Sequence, residues 1–189
     1  MKYKTVAEKE KEAFSKMKGE FGYTSPMEAP RIMKVVVSSG TGTQAKRDKK
    51  RNDFIAERVG RIAGQKPAPR GAKKAIASFK TREGETIGYA ATLRGARMHG
   101  FLEKFLNVAL PRTKDFKGVS KRAVDDMGNL TIGIKEHTIF PETADEDLKD
   151  VFGLAVSVVT TARNKKEAEA FFSHLGFPFK KEEEVKGKR

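Results

Sequence analysis

Residues 64–93 read GQKPAPRGAKKAIASFKTREGETIGYAATL. Six cations fall between Gly64 and Arg82 (Lys66, Arg70, Lys73, Lys74, Lys80 and Arg82) with no acid among them, and Glu83-Gly84-Glu85 closes the run. Thr86 to Leu93, led by Thr, Ile and Tyr, reads as a strand that pairs back on the segment after Pro67. The cationic run then becomes the tip of a long hairpin over 66–86, and an antiparallel sheet is the expected scaffold. A solvated face ordinarily mixes both signs, so an acid-free run of this length points to a polyanion. The bland alternative is an unspecific basic surface loop. Phe79, the one aromatic ring in the run, is available to meet a base or a sugar.

Upstream, Thr5 to Lys18 predicts a charged helix with a thin apolar stripe of Val6, Phe14 and Met17, ending near Gly19 and Gly22. Ile32 to Val37, between Pro30 and Ser38-Ser39-Gly40, is a β-branched run and a predicted strand. Arg47 to Ile62 places Phe54, Ile55, Arg58, Val59 and Ile62 at three-and-four spacing, and Gly64 supplies a stop. Downstream, Met98, Phe101, Leu102, Phe105, Leu106 and Ala109 form a helical stripe that Pro111 ends. Residues 112–129 read as a loop. Leu130 to Lys135 and Ala155 to Thr160 are two further strands. A last helix opens at Asn164, with Glu167 as its capping-box partner, and stops at Gly176. The order predicts an α+β fold: a mainly antiparallel sheet, helices packed on one face and a long basic hairpin loop. One domain is expected over 1–179, its amino-terminal helix within 1–21; 180–189 is a charged tail with nothing to bury, expected to be disordered.

The charge is +14 on 189 residues, from 39 Lys and Arg against 25 Asp and Glu. Thr43 to Arg82 alone holds thirteen basic residues against three acidic ones, +10 of that +14. Such asymmetry concerns partners, not fold. No stretch reaches the roughly 18 apolar residues of a spanning helix, and MKYKTVAEKEKEAF lacks the apolar centre of a signal peptide. With no cysteine there is no disulfide scaffold and no thiolate-zinc site. A cytoplasmic protein with no membrane partner is expected.

Catalytic patterns are weak. Gly40-Thr41-Gly42-Thr43-Gln44-Ala45 fits G-x-G-x-x-A between a strand and a helix, where backbone amides could approach a pyrophosphate. The fingerprint also needs an acidic residue ending a second parallel strand, and residues 61–66 are cationic instead. Lys46, Arg47, Lys49, Lys50 and Arg51 suit an extended phosphate chain better than one compact cofactor. His99, His137 and His174 lack metal-ligand spacing, and Asp125-Asp126 reads as a solvated turn before Gly128-Asn129. No catalytic residue, metal or cofactor is expected, and the chemistry on offer is binding.

Several blocks carry a resemblance: PMEAPRIMKVVVSSGTG from Pro26, AGQKPAPRGAKKAIASFKTREGETIG from Ala63, TLRGARM from Thr92, ALPRTKDFKG from Ala109, GNLTIGIKEHTIFPE from Gly128 and VVTTARNKKEAEAFFSHLGFPF from Val158. In this order, over residues 22–179, they resemble the universal large-subunit ribosomal protein five family, which binds 5S rRNA in the central protuberance.

The resemblance implies a structural constituent of the large ribosomal subunit, located in cytoplasmic ribosomes and not an enzyme. In such proteins one sheet face and its flanking loops hold 5S rRNA. The matching positions here are Ser38, Gln65, Lys66, Thr92 and Arg94. Ser38 departs from the asparagine usual in the family, with shorter reach and fewer donors. Gln and Thr can bond base edges or ribose hydroxyls, and Arg can grip phosphate or guanine. The hairpin tip, with Lys73, Lys74, Phe79, Lys80 and Arg82, resembles the loop that reaches P-site tRNA. Implied further partners are 23S-type large-subunit rRNA, neighbouring ribosomal proteins and a protein of the small-subunit head; residues 112–121 are the candidate segment for those contacts.

Overall fold

The computed structural model describes residues 4–41, 49–114, 116–144 and 151–180. Nine principal elements follow the expected order: α1 (Val6–Phe21), β1 (Ile32–Gly40), α2 (Lys49–Ala63), β2 (Ala68–Gly71), β3 (Thr86–Leu93), α3 (Gly95–Lys104), β4 (Leu130–Ile134), β5 (Leu154–Thr160) and α4 (Lys165–Leu175). Short 3-10 turns punctuate the loops, and α3 continues through one wider π turn, Phe105–Ala109. Gly42 to Ala45 of the glycine motif, Lys46 and Arg47 after it, and residues 181–189 of the tail lie outside the described residues.

The five strands form one sheet in the order β2-β3-β1-β5-β4. β2 and β3 pair antiparallel, Ala68 opposite Ala90 and Arg70 opposite Gly88, with a slip at Gly71. Thr41 N–H, just past the end of β1, donates to Ile87 O at the start of β3 (3.0 Å), so that pair is antiparallel too. Thr161 N–H donates to Arg31 O at 2.9 Å, joining the end of β5 to the start of β1. Thr131 and Ser157 meet through their hydroxyls at 3.0 Å between β4 and β5. The outermost strand on one side is β2, four exposed residues that include Pro69.

β1 runs three residues past the predicted Val37, through Ser38 and Ser39 to Gly40. A Ser-Ser-Gly triplet is a turn signal when read locally. Here strand neighbours on both sides satisfy its backbone, and Ser39 Oγ donates to Gly153 O at 2.8 Å, so sheet context prevails. The β1 and β3 backbones also approach closely at Gly88, where a Cβ would lie 2.7 Å from Ser39 O. Only glycine fits there.

The chain divides into two compact units: residues 1–35, 94–132 and 157–189 in one, and residues 36–93 and 133–156 in the other. In the first unit α1 packs on α4 and α3, burying Val6, Ala13 and Met17 in the same core as Met98, Leu102, Phe105, Phe171, Phe172 and Leu175. Each of these side chains other than that of Ala13 contributes about 1.5 to 3 kcal/mol on burial. Polar contacts fix the register of α1. Thr5 and Glu8 form a reciprocal capping box. Glu10 accepts from Ile32 N at 2.9 Å and meets His99 Nε2 at 2.7 Å. His174 Nε2 donates to Lys9 O at 2.7 Å, and Lys9 Nζ donates to Leu175 O at 3.0 Å. Two of the scattered histidines thus seat a helix.

Glu167 departs from its predicted role. Asn164 caps α4 by accepting from Glu167 N, but the Glu167 side chain does not return to the cap. It is buried, accepting from Tyr23 Oη at 2.5 Å and from Arg163 N at 2.7 Å. A long-range tyrosine takes the carboxylate away from the local motif.

In the second unit α2 packs on β3 through Ile55, Val59 and Ile62. His137, also buried, stacks on Phe152 with centroids 4.1 Å apart, and Phe54 meets it edge-on at 6.3 Å. The Arg58 guanidinium lies 4.7 Å from the Phe54 ring centroid.

Candidate nucleic-acid interface

The interface is built where α2 ends. Gly64 adopts φ +64°, and Gln65 N–H donates to Gly60 O at 3.2 Å, a helix stop that sets the direction in which the chain leaves. Half-buried Gln65 then reaches across, and its Nε2 donates to Thr92 O at 3.3 Å. The bond occupies one amide proton and leaves the other proton and Oε1 for a ligand. Thr92 is half-buried between buried Ala91 and Leu93 on β3. Two of the expected readers, Gln65 and Thr92, are therefore coupled through main chain, in the same unit. Lys66, beside Gln65, is exposed.

Arg94 follows β3 and occupies the N-cap position of α3 in an extended conformation, φ −140° and ψ 162°. Its side chain makes no capping bond and is exposed, as is that of Arg97 one turn on; α3 has no acid in its first turn. Cations and uncapped N–H groups at a helix start together favour anions. Arg97 is an addition to the residues singled out from the sequence. Its helical register beside Arg94 signalled it, within the same TLRGARM block.

Ser38 and Ser39 take different parts. Ser39 is buried and committed to Gly153 O, whereas Ser38, on the opposite face of β1, is half-buried. Ser38 is thus the member of the pair left for a ligand.

The hairpin beyond β2 and β3 is ordered by its own backbone. Ala72 N donates to Glu85 O at 2.9 Å and Gly84 N to Ala72 O at 3.0 Å; farther out Ile76 and Thr81 bond reciprocally at 3.0 and 3.1 Å. The turn closes with Lys80 N on Ala77 O at 2.9 Å, and Lys80 takes φ +50°, uncommon for a residue with a side chain. Lys73, Lys74, Phe79, Lys80 and Arg82 are all exposed, Phe79 by 65%. Glu85 turns its carboxylate to the Arg82 N–H at 3.0 Å. Lys66, Arg70, Lys73, Lys74, Arg82, Arg94 and Arg97 have no ion pair among the described residues. Within the second unit, the Gln65 amide, oriented by its bond to Thr92 O, is next in sequence to Lys66, which has no ion pair among the described residues.

Comparison with known proteins adds an independent line. Residues 25–82 match the family model for ribosomal protein L5, and residues 86–179 match the companion model for the C-terminus of that ribosomal family. The chain belongs to the ribosomal protein L5 family. It is 48% identical over 161 residues to the large ribosomal subunit protein uL5 of Acidovorax sp. (strain JS42), covering 85% of this chain and 89% of that one. With uL5 of Anaeromyxobacter sp. (strain Fw109-5) it shares 45% identity over 171 residues, 90% of this chain and 94% of the relative. With that of Trichlorobacter lovleyi the figure is 48% over 169 residues, 89% and 94% of the two chains. Ribosomal protein L5 is an RNA-binding structural constituent of the ribosome in the cytoplasm and serves translation; it is not an enzyme. No helix among the described residues is long and apolar enough to cross a membrane. The family models begin after α1, so the polar seating of that helix is legible only in the structure.

Proposed function

We propose that this protein binds 5S rRNA and helps attach it to 23S-type rRNA in the central protuberance of the large subunit, acting through residues 1–179 as one RNA-binding domain. In this reading Ser38, Gln65, Lys66, Thr92 and Arg94 hold 5S rRNA. The basic hairpin, through Lys73, Lys74, Phe79, Lys80 and Arg82, reaches P-site tRNA, and a further contact engages the small-subunit head. The observation that carries the proposal is the Gln65–Thr92 bond, which fixes an amide able to read hydrogen-bonding edges, next in sequence to Lys66, which has no ion pair among the described residues. Single-stranded or distorted RNA presents such edges, and its phosphates take up the charge.

The decisive experiment is binding of 5S rRNA as a function of salt. A protein neutralising about 6 to 10 phosphates loses on the order of a thousandfold or more in affinity between roughly 50 and 200 mM salt. Salt-independent affinity for a dinucleotide, with none for 5S rRNA, would overturn the proposal.

A further inference from the structure

The chain has six methionines and no cysteine. Met1 lies outside the described residues, and the second unit, residues 36–93 and 133–156, contains no methionine. The other five therefore fall in the first unit, in two groups. Met17 and Met98 are buried, at 4% and 2%, whereas Met27 and Met127 are each 75% exposed and Met33 is 58% exposed. Among the described residues, these three thioethers are the sulfur that water reaches.

All three gather around one stretch, residues 161–167, where β5 passes into α4. Arg31, two positions before Met33, donates its N–H to Thr161 Oγ1 at 2.9 Å and accepts from Thr161 N at 2.9 Å. Tyr23 Oη donates to Glu167 at 2.5 Å, so the turn that carries Met27 runs between two anchors on that stretch. Gly128, next to Met127, lies so close to Ala162 that a Cβ on it would stand 2.9 Å from Ala162 Cβ. Thr160 Oγ1 donates to Gly128 O at 2.6 Å and fixes the same approach.

The exposure belongs to the folded state, because the backbone at each site is held. Met27 N donates to Ser25 Oγ at 3.3 Å inside the capped turn Pro26–Glu28. Met33 stands in β1 between buried Ile32 and half-buried Lys34. Met127 N donates to the Asp125 carboxylate, which also accepts from Asn129 N at 2.7 Å and Asn129 Nδ2 at 3.0 Å. A thioether reached from water reacts with hydrogen peroxide. The sulfur donates an electron pair to one peroxide oxygen, the O–O bond breaks and an S–O bond forms. The other oxygen leaves as water, carrying both peroxide protons. The sulfoxide so formed is polar: water solvates it on this surface, whereas in the core it would sit among apolar neighbours without a partner.

We propose that Met27, Met33 and Met127 form a reversible oxidation site, at which peroxide converts the thioethers to sulfoxides in the folded protein. An apolar surface of the first unit thereby turns polar, while Met17 and Met98 stay reduced. Reversal takes a methionine sulfoxide reductase, whose two thiols become a disulfide as the oxygen departs in water. The site draws on none of the residues assigned above to RNA binding.

The test treats the full chain, and a variant with Met27→Leu, Met33→Leu and Met127→Leu, with hydrogen peroxide. Oxygen uptake at each methionine is followed by mass spectrometry of proteolytic fragments. Met27, Met33 and Met127 should react within about threefold of the rate of free methionine, and Met17 and Met98 at least about tenfold more slowly. The chain oxidised at all three sites should leave a hydrophobic-interaction column earlier and melt within about 2 °C of the untreated protein. Reductases for both sulfoxide epimers, with dithiothreitol, should restore its mass and its elution. The leucine variant should elute unchanged through the same treatment. Met17 or Met98 reacting as fast as the exposed three would overturn the proposal. An early melt of the oxidised chain, sulfoxides that resist the reductases, or an elution shift that persists in the leucine variant would do the same. Should the leucine variant fail to fold, the rates at single methionines in the unmodified chain still decide.

Discussion

Gln65 Nε2 lies 3.3 Å from Thr92 O, so the residue that follows the α2 stop is tied to the residue that precedes the end of β3. The bond is long for an amide donor, and its value lies in orientation more than in stability. Gln65→Ala is expected to weaken 5S rRNA binding about 5- to 150-fold, the range for one lost direct contact of about 1 to 3 kcal/mol, and to leave the melting temperature nearly unchanged. Arg94→Ala should weaken it similarly and lower the salt slope by about one unit. Electrophoretic mobility shifts at two salt concentrations distinguish the two effects.

Neutralising the hairpin tip has the opposite profile. Lys73→Gln, Lys74→Gln and Lys80→Gln together should leave 5S rRNA affinity within about threefold, while the salt slope for tRNA binding falls by roughly two to three units. Loss of 5S binding in that variant would defeat the proposed separation of roles.

Tyr23 and Glu167 form a buried pair whose worth can be read by pH. Burial, and then the hydrogen bond to the Glu167 carboxylate, push the Tyr23 hydroxyl well above the usual tyrosine range. Because the folded value is raised, the pair's contribution is complete below about pH 10 and is lost as the pH rises towards the folded value. Tyr23→Phe strands the carboxylate without that donor, at a cost of about 1 to 3 kcal/mol. The variant should melt several degrees lower at neutral pH and lose the Tyr23 part of the wild-type decline under alkaline conditions, as urea titrations across pH will show.

Gly88→Ala tests the close approach of β1 and β3. A methyl group 2.7 Å from Ser39 O is relieved only by backbone movement, because the obstructing atom belongs to the main chain. A loss of about 1 to 3 kcal/mol is expected, as for overpacking elsewhere, read as a lower midpoint in chemical denaturation.

Local signals were the legible ones. The hairpin announced itself through two prolines, an acid-free run and a following β-rich segment, all within thirty consecutive residues. Helix ends were similarly open to reading: Gly22 and Gly176 both adopt left-handed conformations at their stops. What escaped depended on partners far along the chain. The extension of β1 through Ser39 needed Gly153, more than a hundred positions away. Glu167 looked like a capping residue until Tyr23 took its carboxylate. His99 and His174 gave no sign of their α1 partners, because a polar side chain in a helix carries no address for a distant carbonyl or carboxylate. Among the candidate readers, residue types could be matched to chemistry in advance. Their spatial coupling could not, since the Gln65–Thr92 bond exists only once the hairpin has folded back.

Pro69 lies in β2 at the open margin of the sheet, opposite Tyr89. A proline has no N–H to extend toward another chain, and a rim only four residues long gives an incoming strand little to zip against. The four residues that launch the basic arm are thereby also a poor template for a second copy's strand.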